Sequence, residues 1–144
     1  MVHRIVAGVD GSETANLAAV RAAEAAQAYG EPLHLVSAYG PGEQRTMSDG
    51  IEKVVINLRT DAERVATEAA DMLRTQFPSL EITTSVASGS PADVLVDEAE
   101  RLDARLIVVG NKRVQGPARI LGSIARTVAA NASCDVYVAN TRQG

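Results

Sequence analysis

From residue 106 to 128 the chain reads LIVVGNKRVQGPARILGSIARTV, and these residue types in this order could hold a phosphate. An apolar run, Leu106-Ile107-Val108-Val109, ends at Gly110. A basic loop with a glycine of its own, Gly116, follows, and Gly122-Ser123 then opens a stretch in which Ile124 and Val128 are spaced as on one helical face. The first N–H groups of a helix have no partner inside it, and the helix dipole favours negative charge there. A buried strand, a loop and a helix N-terminus in succession therefore make an anion cradle. The charges agree with that reading. No Asp or Glu occurs from residue 104 to 134, whereas Arg105, Lys112, Arg113, Arg119 and Arg126 do, in a chain of net charge −4. The same stretch also reads as a glycine turn that happens to be basic. Asp10, the one carboxylate at the end of a predicted strand, likewise has two readings. It is turn chemistry in Asp10-Gly11, or it is an acceptor for a ligand amine or hydroxyl, or a metal contact.

A frame must bring these residues together. RIVAGV at 4–9 is apolar without alternation, as in a strand covered on both faces. Ser12 or Thr14 can cap an alanine-rich helix over 15–29 that stops at Gly30. A second strand ends at Tyr39, and the polar, glycine-bearing stretch 40–50 reads as a mobile loop able to close over a ligand. From Ile51 the spacing of Val54, Leu58, Ala62, Val65, Ala69 and Met72 predicts one face of a long helix, stopped by Pro78. A third strand spans 82–87. Ser90, Pro91 and Asp93 mark a helix start, with Ser90 as N-cap. The strand ending at Gly110, a helix over 123–131 and a last strand over 135–140 complete the order. Strands separated by helices predict an α/β fold, a parallel sheet with helices on both faces. Ligands of such sheets bind beyond the carboxyl ends of the strands. Those ends are Val9-Asp10, Ala38-Tyr39, Gly89-Ser90 and Gly110.

Composition narrows the function classes. The 144 residues suit one domain, 46% of them are apolar and 3% aromatic, so the core is aliphatic and rich in alanine. No apolar run approaches about 18 residues, which argues against a membrane span. Asp10 arrives too early for a signal-peptide core, and the single Cys134 suits a reducing compartment, so a cytoplasmic location is expected. The acidic balance argues against nucleic acid as partner. Neither G-x-G-x-x-G nor G-K-[ST] occurs. His3 and His34 are too few for most metal sites, His34 reads as structural, and Cys134 reads as a small core residue.

The stretches RIVAGVDGSETANLAAVRAA, GSPADVLVDEAERLDARLIVVGNK and LGSIARTVAANASCDVYVAN resemble the universal stress protein family, of the UspA-like, adenine-nucleotide-binding type. The resemblance implies a Rossmann-like five-stranded parallel sheet in the order 3-2-1-4-5. It also implies a homodimer paired through the last strand, residues 136–139, and a module that is not an enzyme. The ligand it implies is ATP or another adenine nucleotide, with or without magnesium. The family's phosphate motif is Gly, two residues, Gly, nine residues, then Gly and Ser or Thr. Gly110 matches its first position and Gly122-Ser123 its last pair. Arg113 stands where the second glycine belongs, and eight residues, not nine, separate it from Gly122. By the resemblance Asp10 and Ala38 lie near the adenosine, Gly110 near the ribose and phosphates, and Gly122, Ser123 and Ile124 around the phosphates. Val9, Gly89, Val109, Lys112, Arg113, Gly116 and Arg119 complete the candidate site. A dimeric scaffold without nucleotide is the alternative. An enzyme of the related α-hydrolase-like folds is disfavoured, because no S-G-G-x-D-S or H-I-G-H stretch is present.

Overall fold

The computed structural model describes residues 2–40, 49–111 and 121–141, for 49–55 the backbone alone. Strands and helices alternate: β1 (Ile5–Gly8), α1 (Glu13–Tyr29), β2 (Leu33–Tyr39), α2 (Asp49–Gln76), β3 (Ile82–Ser88), α3 (Pro91–Arg101), β4 (Leu106–Asn111), α4 (Ser123–Asn131) and β5 (Asp135–Asn140). The strands form one parallel sheet in the order β3-β2-β1-β4-β5, as expected. Ile5, Val6 and Ala7 are fully buried, because the sheet is covered on both faces. Ile5, Ala7, Leu35 and Val108 face one layer of helix residues, and Val6, Val36 and Ile107 face the other. The buried stripe of α1 is five alanines, Ala18, Ala19, Ala22, Ala23 and Ala26. Side chains that small let the helix axis lie close to the strands.

The helix ends refine the sequence reading. Ser12 is the N-cap of α1, its Oγ accepting the Ala15 N–H at 3.1 Å, so the helix starts at Glu13, two residues before the expected start. Gly30 closes it with φ 68°, a left-handed conformation that glycine adopts without strain. Helix α2 begins at Asp49, inside the stretch expected to be a loop; residues 41–48 of that stretch lie outside the described residues. Its expected face holds at Ala62, Val65, Ala69 and Met72, which are buried or pack against the core, and is corrected at Leu58, while the side chain of Val54 lies outside the described residues. Leu58 is 37% exposed and residues 56–61 all face solvent, whereas Ala62, Ala66, Ala69, Ala70 and Leu73 are buried. The second half of α2 packs on the sheet core. Ser90 is the N-cap of α3, but its side chain makes no capping bond. There the start rests on Pro91, whose missing N–H leaves one orphan donor fewer.

His34 is structural, as expected, and its setting is a buried polar cluster under α3. Its Nδ1 lies 2.7 Å from Thr83 Oγ1, and its Nε2 lies 2.8 Å from Ser85 Oγ and 3.0 Å from Glu98 Oε2. Ser85 also donates to Glu98 Oε2, and Arg101 Nε donates to Glu98 Oε1 at 2.8 Å. These partners fit a neutral imidazole protonated at Nε2, with Nδ1 accepting from Thr83. The cluster ties α3 to β2 and to the edge strand β3. The bond from Arg101 holds the Glu98 carboxyl down at about 2, with Ser85 and His34 adding to it and burial opposing it. Burial pushes His34 below its ordinary value, against the opposing pull of Glu98.

Both shifts have one consequence. A lowered His34 contributes stability that is complete above its unfolded value of about 6.5 and is lost as pH falls below it. A lowered Glu98 contributes stability that is lost as pH falls from about 4.5 towards about 2. Urea unfolding is therefore expected to show stability falling steadily from pH 7.5 to pH 5, with a shallower fall in His34→Gln. Equal slopes in parent and variant would show that His34 does not carry the pH dependence.

Candidate functional site

Strand order reverses at β1, which pairs with β2 on one side and with β4 on the other. A cavity of about 120 Å³ opens there, beyond the carboxyl ends of the strands. Its floor and walls are chiefly apolar, from Val9, Val36, Ala38, Leu95, Val108 and Val109, while Asp10, Ser12 and Thr14 supply polar groups. An apolar slot with a few polar groups suits a partly apolar ligand that carries polar substituents.

Two glycines let the helices close on this slot from opposite faces. A β-carbon on Gly8 would come within 3.3 Å of Leu95 of α3. One on Gly110 would meet Thr141 Cγ2 at 3.0 Å, the Thr14 carbonyl at 3.1 Å and Ala18 Cβ at 3.2 Å. Gly110 thus has a packing role at the end of β4 in addition to any contact with a ligand. At Asp10, the Oδ1 atom accepts the Ser12 N–H at 2.8 Å, across Gly11 with φ 85°. The turn reading holds for that oxygen. A carboxylate has two, and Asp10 also lines the cavity.

Of the candidate residues, Val9, Asp10, Ala38, Val109, Gly110 and Ile124 line the cavity together, although they come from four separate parts of the chain. Gly122 and Ser123 precede Ile124 at the start of α4, exposed to solvent and outside the cavity wall. Gly89 is also outside the wall. It ends the edge strand region with φ 138°, its N–H donates to the Tyr39 carbonyl at 3.2 Å, and Pro91 reaches the cavity in its stead. Lys112, Arg113, Gly116 and Arg119 lie outside the described residues. Arg105, counted with the basic segment, is at the far end of β4, stacked 4.2 Å from the Tyr29 ring centroid, and adds nothing to this site. Cys134 packs half-buried against the α3–α4 core, and burial pushes its thiol up, as for an unreactive core residue.

The sequence reading did not include Gly8, Thr14, Ala18, Val94 or Leu95 among the site residues. The small residues at the start of α1 were the available signal, since a helix that must approach a strand end closely needs them. Among the described residues no cluster of His, Cys, Asp and Glu could hold a metal ion, and no helix is long and apolar enough to cross a membrane.

A doubly wound parallel sheet with an apolar slot at its switch point defines the Rossmann-like class of α/β folds, which take their ligands at that point. A sequence model of the universal stress protein family matches residues 1–140, and the chain belongs to that family. A universal stress protein of Mycobacterium tuberculosis H37Rv, Rv2624c, is 32% identical over 139 residues, which cover 96% of this chain and 48% of the relative. The chain thus spans about half the length of that relative. A crystal structure of a universal stress protein in complex with cAMP is 30% identical, with a TM-score of 0.72, and the match covers 96% of this chain and 97% of that one. The structure of the Archaeoglobus fulgidus universal stress protein in complex with dAMP is 27% identical, with a TM-score of 0.67 and the same coverage.

Replacing Gly110 by alanine tests the packing role. The neighbours are a helix carbonyl and a helix methyl group, which cannot swing aside, so α1 must retreat from β4. Overpacking of this kind costs about 1–3 kcal/mol. Denaturant unfolding of Gly110→Ala is expected to show a loss in that range, and unchanged stability would remove the packing argument.

Proposed function

We propose that this chain is a stress-response module that binds an adenine nucleotide in the slot between β1 and β4 and does not turn it over. The observation that carries the reading is that the apolar slot and the start of α4 meet at Ile124. A base and sugar in the slot would thus have their phosphate beside uncapped helix N–H groups. Two relatives are described in complex with cAMP and with dAMP, ligands that share the adenine and one phosphate. Gly110 and Gly122-Ser123 retain the ends of the family's phosphate motif, while Arg113 replaces its inner glycine. A guanidinium can take phosphate oxygens in pairs, which offsets lost backbone contacts.

We also propose a homodimer paired through β5. This strand is an edge of the sheet, and Tyr137 on it is 39% exposed. An apolar edge strand favours pairing with a second copy in an isologous contact.

Calorimetry with AMP, cAMP and ATP, with and without magnesium, tests the binding reading, alongside mass analysis of ligand released from freshly purified protein. Ala38→Phe, which fills the slot, is expected to weaken binding by at least about tenfold. No heat from any nucleotide at millimolar concentration would leave the scaffold reading in its place. Light scattering is expected to give twice the chain mass for the parent and a shift to monomer for Tyr137→Glu. A monomeric parent at micromolar concentration would end the dimer reading.

A further inference from the structure

Asn111 ends β4, next to Gly110, and Gly122 stands at the N-cap of α4. The backbone N–H of Gly122 donates to Asn111 Oδ1 at 2.7 Å, across a span of eleven residues. The acceptor is firmly mounted. Asn111 pairs with Asn140 in the sheet register, its carbonyl accepts the Thr141 N–H at 3.2 Å, and the neighbouring Gly110 is packed against Thr141 and α1. The helix start offers no internal substitute: Gly122 brings no side chain to the cap, and the first turn of α4 holds no acidic residue. The bond is also exposed to solvent, so an incoming solute can reach it.

We propose that Asn111 is a built-in stand-in for the phosphate, a residue that sets how strongly the site selects phosphorylated over unphosphorylated ligands. Its carboxamide oxygen accepts the Gly122 N–H and gives up that hydrogen bond to an incoming phosphate oxygen. The nature of the ligand rests on the adenine-nucleotide reading above; the competition at Gly122 concerns any phosphate. A charged oxygen accepts a stronger hydrogen bond than a neutral amide oxygen, so phosphate wins the exchange. It gains only the difference, because one bond must be given up first. Adenosine, which brings no phosphate, leaves the Asn111 bond in place. The side chain therefore lowers affinity for every phosphorylated ligand and leaves the base and sugar contacts alone.

Two substitutions separate this role from that of a mere loop staple. Asn111→Ala removes the competitor and is expected to tighten AMP binding about two- to tenfold, the worth of one hydrogen bond, with adenosine unchanged. Asn111→Asp keeps the acceptor and adds a negative charge beside the incoming phosphate, so AMP binding is expected to weaken while adenosine again stays unchanged. Weaker AMP binding in Asn111→Ala, or adenosine affinity moving with AMP, would overturn the proposal, since either result makes Asn111 a support for the site. A titration with inorganic phosphate, followed at the Gly122 amide by NMR, keeps the two readings apart. That amide is expected to respond at lower phosphate concentration in Asn111→Ala than in the parent. An equal response would overturn the stand-in role. A lower-concentration response in a protein that binds no nucleotide would uphold it and end the adenine-nucleotide reading alone.

Discussion

Gly110 allows the end of β4 to lie against α1, where any β-carbon would press on Thr14, Ala18 and Thr141 at 3.0–3.2 Å. Gly8 does the same for β1 and Leu95 of α3. Both helices flanking the slot come down on positions without side chains. The alanine face of α1 serves the same approach, since larger residues at Ala18 or Ala22 would lift the helix off the sheet. Sequence acts here through the absence of atoms. Small residues set the distance between layers, and that distance bounds the slot.

The polar groups are held in place by different means. The two ends of α3 do different work. Pro91, Val94 and Leu95 near its start line the slot, while Glu98 and Arg101 near its end anchor it through the His34 cluster. Every group of that cluster has a partner, which is the condition under which a buried polar network stabilises a fold. Asp10 and Ser12 order the turn after β1 through one carboxylate oxygen. At the far side, α4 presents its start to the mouth of the slot with Gly122 tied to Asn111. The start of that helix, the Asp10 carboxylate and the apolar floor thus border one slot.

The fold was legible because several independent signals agreed. Apolar runs without alternation marked strands covered on both faces, and Ser12, Gly30, Pro91 and Gly122 marked helix ends. The strand order came from the family resemblance, since periodicity alone does not rank strands. Candidates at strand ends, Val9, Asp10, Ala38 and Gly110, met in the cavity because a parallel sheet gathers those ends along one edge. Arg105 misled for the opposite reason: six residues of strand carry it to the other edge, where it stacks on Tyr29. Leu58 followed a helical period, but it is exposed. The pairings His34–Glu98 and Asn111–Gly122 depend on register between distant segments, which no local pattern encodes.

The most direct test of the slot as a nucleotide site is NMR titration of the protein with AMP, read residue by residue at the backbone amides. Shifts concentrated at Val9, Asp10, Ala38, Gly110 and Gly122 to Ile124, saturating together, are the expected result. Shifts that saturate together elsewhere, or none at millimolar AMP, would contradict a ligand seated between β1 and β4.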